Sequence, residues 1–116
     1  MSKFMTLLVE DDFFQREMLA ETLRNDGFEV IECATAEAAE LVVATSGTEL
    51  RAVVTDQNLA GTMRGSELAQ FARGKFPDLN IILMSGYEAP PLSPDVSFIR
   101  KPFPPDDLLQ ALRKLK

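Results

Sequence analysis

Acidic, hydroxyl and amine side chains recur in this sequence at one kind of place, the polar residue that ends a short apolar run. Leu7-Leu8-Val9 runs into Glu10-Asp11-Asp12, and Ala52-Val53-Val54-Thr55 into Asp56. Ile81-Ile82-Leu83-Met84 runs into Ser85, and Val96-Ser97-Phe98-Ile99 into Arg100-Lys101. If each run is a buried parallel strand, these polar residues meet, because open α/β sheets bind ligands beyond the carboxyl ends of their strands. Two carboxylates about 4 Å apart repel by roughly 4 kcal/mol at an effective dielectric near 20. A cluster of Asp11, Asp12 and Asp56 must therefore shift a pKa or recruit a cation. Hard carboxylate oxygens, with no His or Cys in the set, favour Mg2+ over zinc. Mg2+ keeps several waters and leaves room for a phosphoryl oxygen. Asp56 is then a candidate nucleophile, able to form an aspartyl phosphate. Lys101 would neutralise one phosphoryl oxygen as a point charge, and Ser85 would donate a hydrogen bond to another.

Each residue taken singly has a plainer reading. Acids after a strand favour the start of a helix, an Asp before a loop is a common turn residue, Ser-Gly is a common turn, and Lys-Pro a common strand exit. The chemical reading rests on all of them sharing one edge.

The whole chain sets bounds on that chemistry. Its 116 residues fit one domain, spanning 1–116, with a single core. Twelve Lys and Arg against eighteen Asp and Glu give a formal charge of −6, which repels phosphate backbones and argues against direct nucleic-acid binding. The one basic run, Arg113-Lys114-Leu115-Lys116, reads as the last turn of a helix. There is no His, which excludes imidazole metal ligands, a His general base and any role as a phosphohistidine donor. Cys33 is alone, and neither a signal peptide nor an 18-residue apolar stretch is present, so a cytoplasmic protein without membrane insertion is expected.

The elements that must position these residues alternate between apolar runs and stretches of helical spacing, the pattern of repeated βα units. After the first strand, Phe14, Met18, Leu19 and Leu23 recur at helical intervals, and Gly27 supplies a stop. Phe28 to Cys33 reads as a second strand, and Thr35 as the N-cap of a helix carrying Ala38, Leu41 and Val42. A third strand runs from Leu50 to Asp56. Leu68, Phe71, Ala72 and Phe76 form the face of a helix stopped by Pro77. A fourth strand covers Asn80 to Met84. Pro90, Pro91 and Pro94 make a regular helix improbable between Gly86 and Asp95. A fifth strand near Val96 to Arg100 follows, and Pro104-Pro105-Asp106-Asp107 opens a last helix with the stripe Leu108, Leu109, Leu112 and Leu115.

Four segments, in this order and spacing, match a known pattern: Leu8-Val9-Glu10-Asp11-Asp12, Val54-Thr55-Asp56, Met84-Ser85-Gly86 and Lys101-Pro102-Phe103. Over essentially its whole length the chain resembles the receiver domain of two-component response regulators, of the single-domain or hybrid-kinase type. The resemblance implies a flavodoxin-like, doubly wound five-stranded parallel sheet of order 2-1-3-4-5, an order for which the chemotaxis receiver is a standing example. It implies that Asp56 accepts a phosphoryl group from a phosphohistidine on a sensor histidine kinase or histidine phosphotransfer protein. Catalysis would extend only to the domain's own phosphorylation and dephosphorylation. Asp12 and Asp56 would bind Mg2+ directly, with the Asn58 backbone carbonyl as third protein ligand and Asp11 acting through water. Ser85 matches the switching hydroxyl, Phe98 the switching aromatic, and Lys101 the phosphate-pairing lysine. A cis Lys101–Pro102 bond is expected.

The pattern departs in three places. Leu59-Ala60 stand where Met-Pro is common, and Gly61 to Gly65 hold one extra residue. Only 16 positions separate Ser85 from Lys101, so the fourth helix is expected to be shortened or missing. Tyr87, with Asn58, would set the lifetime of the phosphorylated state by shielding it from water. Three rivals stand beside this reading. A haloacid-dehalogenase-type phosphatase needs a second acid where Asn58 stands. A flavodoxin-like nucleotide binder needs a phosphate loop where Glu10-Asp11-Asp12 stands. The third is a degenerate receiver that binds partners without phosphorylation.

Overall fold

The structure, a computed structural model, describes residues 5–88 and 90–115; Lys116, part of the expected basic last turn, lies outside them. Nine elements follow in chain order: β1 (Met5–Val9), α1 (Phe13–Asn25), β2 (Glu29–Cys33), α2 (Ala36–Ser46), β3 (Leu50–Asp56), α3 (Gly65–Lys75), β4 (Asn80–Ser85), β5 (Ser97–Arg100) and α4 (Pro105–Arg113). The strands form one parallel sheet in the order β2-β1-β3-β4-β5. This is the order and strand count expected from the sequence.

Side chains alternate across the sheet as the pleat requires. Leu7, Val9, Val53 and Ile81 pack one face against α2 and α3. Leu8, Val54, Ile82 and Met84 pack the other against α1 and α4. Both faces being covered, the strands are near-continuous apolar runs, as parallel sheets demand. Local chemistry sets the helix ends. The Thr35 hydroxyl accepts from Ala38 N–H at 3.1 Å to start α2. Gly27, at φ +94°, takes the left-handed turn that closes α1.

Two helices bury only part of the face that the apolar spacing predicts: Leu19 and Leu23 of α1 are buried and Val42 of α2 packs against the core, as expected, but their companions are not. In α1 the buried residues are Leu19, Ala20 and Leu23, whereas Phe14 and Met18 are 81% and 49% exposed. The first turn of α1 starts beyond the carboxyl end of β1, and Phe14 there faces solvent. In α2 the buried stripe is Ala36, Ala39 and Val43, with Leu41 exposed. Alanines let this helix lie close to the sheet, and the larger Leu41 is turned outward.

Between β4 and β5 no helix forms among the described residues. Pro91, Leu92, Ser93 and Val96 instead lie along Ser66, Ala69, Gln70 and Arg73 of α3. An ion pair from Arg73 to Asp95 fastens this segment, while the Arg73 guanidinium also donates to the Leu79 carbonyl at 2.8 Å. The Lys101–Pro102 peptide is cis.

Candidate functional site

Strand register brings the polar ends together. Val9 pairs with Thr55, and Asp56 with Met84, so Glu10 just past β1, Asp56 at the end of β3 and Ser85 at the end of β4 share one edge. The Ser85 carbonyl accepts from the Lys101 N–H at 2.8 Å, tying the end of β5 to the same edge. Carboxylate oxygens of Glu10, Asp11 and Asp56 lie within 4.8 Å of one another. Glu10 and Asp56 are buried and Asp11 is exposed, so the cluster opens to solvent on one side.

Asp12 does not join this group. Its Oδ1 accepts from the Gln15 N–H at 2.8 Å and caps the N-terminus of α1. The expected convergence of Asp11, Asp12 and Asp56 is thereby corrected: the acids next to Asp56 are Glu10 and Asp11, one step earlier in the chain. The physical reason is that a helix starting at Phe13 needs its cap at residue 12. An Asp immediately before a helical run is itself a cap signal, and it was available in the sequence.

Lys101 organises the cluster. Its ammonium donates to Glu10 Oε1 at 2.6 Å and to Gln15 Oε1 at 2.9 Å, and lies 3.4 Å from Asp56 Oδ2. Glu10 is fixed further: its Oε2 accepts from the Asp12 N–H at 3.2 Å, and its carbonyl accepts from Arg16 at 2.8 Å. Burial raises the Asp56 carboxyl above its ordinary value, with Lys101 opposing and the Asp11 charge adding to the rise. Burial raises Glu10 likewise, against the pull of its Lys101 bond. Burial works against the Lys101 ammonium, yet Glu10 and Asp56 together carry its pKa above the ordinary lysine value. Three hard carboxylate donors without His or Cys, their oxygens within 4.8 Å of one another, fit an oxygen-seeking divalent cation.

The remaining expected residues fall around this centre. Ser85 is buried at the edge, and its hydroxyl accepts from the Tyr87 N–H at 3.1 Å. Tyr87 itself is 72% exposed. Asn58 is exposed in the loop that leaves β3. That loop closes tightly: Gly65 N–H donates to the Gln57 carbonyl at 3.1 Å, and a Cβ on Gly65 would overlap the Asp56 carbonyl. Glu37 of α2 holds the far side of the loop, accepting from Thr62 N–H and Oγ1 and from Met63 N–H at 3.1–3.3 Å. Phe98 is half-buried on β5, beside Phe103 in an open groove, and is not a closed core residue. Gln15 and Glu37 were missed in the sequence, since neither stands at a strand end.

The model of the response regulator receiver domain matches residues 6–113, all but the ends of the chain. The chain belongs to this family. Among curated relatives, the receiver domain is 41% identical over 83 residues to the response regulator protein FleR of Pseudomonas aeruginosa, covering 72% of this chain and 17% of that protein. It is 32% identical over 108 residues to a response regulator receiver protein of Anaeromyxobacter, covering 92% and 43%. The chain thus spans less than half the length of these relatives. Among solved structures, the receiver domain of the hybrid histidine kinase CckA matches at TM-score 0.82 and 30% identity, over 95% of this chain and 96% of that one. A receiver protein from Sinorhizobium medicae matches at TM-score 0.89 and 27% identity, over 96% and 92%. The receiver assignment and the doubly wound fold therefore stand, and the chain is a two-component signalling domain. Among the described residues no helix is long and apolar enough to cross a membrane.

Proposed function

We propose that this receiver domain takes a phosphoryl group from a phosphohistidine onto Asp56 and passes the change to its surface. One observation carries the reading. Asp56, a buried strand-end carboxylate, has Glu10 and Asp11 within 4.8 Å and the Lys101 ammonium 3.4 Å away. An Asp56 oxygen attacks phosphorus, the P–N bond to the imidazole breaks, and its electron pair leaves with the neutral imidazole after proton uptake. A bound Mg2+ would supply positive charge to the phosphoryl oxygens as negative charge builds. Asp11 and Asp56 are the carboxylates that would hold it, with Glu10 closing the cluster and the Asn58 carbonyl a further ligand by resemblance. Lys101 lies within reach to neutralise a phosphoryl oxygen, and the Ser85 hydroxyl would turn from Tyr87 N–H to donate to another. In this reading Phe98 follows Ser85 inward, and Asn58 with Tyr87 limits the access of water and so sets the lifetime of the phosphorylated state.

The donor is a sensor histidine kinase or a histidine phosphotransfer protein, and the cytoplasm is the compartment that fits. The likeness to a hybrid-kinase receiver favours that class of parent protein. The deciding measurement is intact mass after incubation with acetyl phosphate and Mg2+, wild type against Asp56→Asn. A phosphoryl adduct on the wild type alone is expected. An adduct on both moves the acceptor elsewhere; on neither, it favours a degenerate receiver that works by contact alone.

A further inference from the structure

The Lys101 ammonium has three hydrogens, and its two shortest contacts are not to the acceptor aspartate. They go to Glu10 Oε1 at 2.6 Å and to Gln15 Oε1 at 2.9 Å, with Asp56 Oδ2 further off at 3.4 Å. Gln15 is itself anchored, because its own N–H donates to the Asp12 cap at 2.8 Å in the first turn of α1. Gln15 and Lys101 also line one cavity with Met18, Leu19 and Phe103, so the amine stem lies along α1 rather than over Asp56 alone. Two elements distant in sequence, α1 and the end of β5, therefore share one amine.

We propose that Gln15 is a positioning residue for Lys101. Its amide oxygen holds the ammonium toward α1 in the unmodified domain and must release it once Asp56 carries a phosphoryl group. The inference rests on the phosphoacceptor reading above. The charge argument is direct. A phosphoryl group replaces the Asp56 charge by a larger one further from the backbone. The larger charge draws the amine outward from the side of Asp56, and of its two short contacts the weaker yields first. Glu10 holds it by full Coulomb attraction in a buried setting, whereas the neutral, exposed Gln15 amide offers only a dipole. Gln15 is the contact that breaks, and its strength sets how readily the modified state forms.

Beryllofluoride with Mg2+, a stable mimic of the phosphoryl group, reads this without turnover. Gln15→Leu keeps the side-chain bulk but removes the acceptor, and it should tighten beryllofluoride binding by about threefold, the worth of one exposed net hydrogen bond. Gln15→Glu grips the amine harder and repels the mimic, and it should weaken binding by a similar factor or more. A merely structural role would move both variants in the same direction. Shifts of the same sign, or no shift beyond twofold in either, overturn the role of Gln15 while leaving Asp56 as acceptor. Absence of any beryllofluoride binding by the wild type overturns the phosphoacceptor reading, and the Gln15 role with it.

Discussion

Lys101→Met should destabilise the metal-free domain because it strands Glu10. Met keeps most of the stem volume and removes only the ammonium. Glu10, with a side chain 1% exposed, then faces Asp11 and Asp56 across no more than 4.8 Å with no cation between them. Each such pair repels by about 3.5 kcal/mol at an effective dielectric near 20. Glu10 can escape by taking up a proton, which costs about 1.4 kcal/mol for every pH unit above its pKa. Protonation is the smaller term, so it caps the loss. Counted from the ordinary glutamate value of 4.5, that cap is about 3.4 kcal/mol at pH 7 and about 0.7 kcal/mol at pH 5, so the destabilisation should be several-fold larger at the higher pH. Urea unfolding followed by circular dichroism in EDTA at both pH values measures it. Adding Glu10→Gln to Lys101→Met should recover most of the loss at pH 7. An equal loss at both pH values, or no recovery by Glu10→Gln, would show that the acid cluster is not what Lys101 restrains.

Three further outcomes follow from the same geometry. Asp11→Ala should weaken Mg2+ binding at least tenfold by calorimetry, while Asp12→Ala should cost about 1 kcal/mol of stability through loss of the α1 cap and change Mg2+ affinity far less; the reverse ranking would restore Asp12 as the ligand. Gly65→Ala should destabilise by about 2 kcal/mol or more in denaturant unfolding, since its Cβ meets the Asp56 carbonyl and the backbone must shift; wild-type stability would mean the loop is loose. Asp56 and Glu10 hold protons in the folded state that the unfolded chain has released, so metal-free stability should fall as pH rises from the ordinary carboxylate range through their raised values. Thermal unfolding in EDTA should show this slope, and Asp56→Asn should flatten it; an unchanged slope in that variant removes Asp56 as its source.

The sheet was legible because each strand is an uninterrupted apolar run ending in a polar residue, and burial on both faces leaves such runs no other stable home. The same feature put Asp56, Ser85 and Lys101 on one edge. The acid pair was misread by one residue, because Glu10, Asp11 and Asp12 are chemically alike and only the start of α1 decides which of them is spent as a cap. Leu19 and Leu23 were read correctly as buried, whereas Phe14, Met18 and Leu41 were misread because they carry more apolar surface than the alanines that touch the sheet. Apolar size predicts burial only where a strand lies underneath. Gln15 and Glu37 act through contacts 86 and 25 residues away along the chain, which no local pattern encodes.

The strap between β4 and β5 decides how this flank can communicate. Pro90, Pro91 and Pro94 each fix one torsion and withhold one donor, so the strap has little freedom to surrender and few alternative shapes to visit. A visiting protein meets a proline-stiffened ridge there, not a cylinder that could roll. What ties this ridge to the body of the domain is α3, through the packing of Leu92 and Val96 and the ion pair of Arg73 with Asp95.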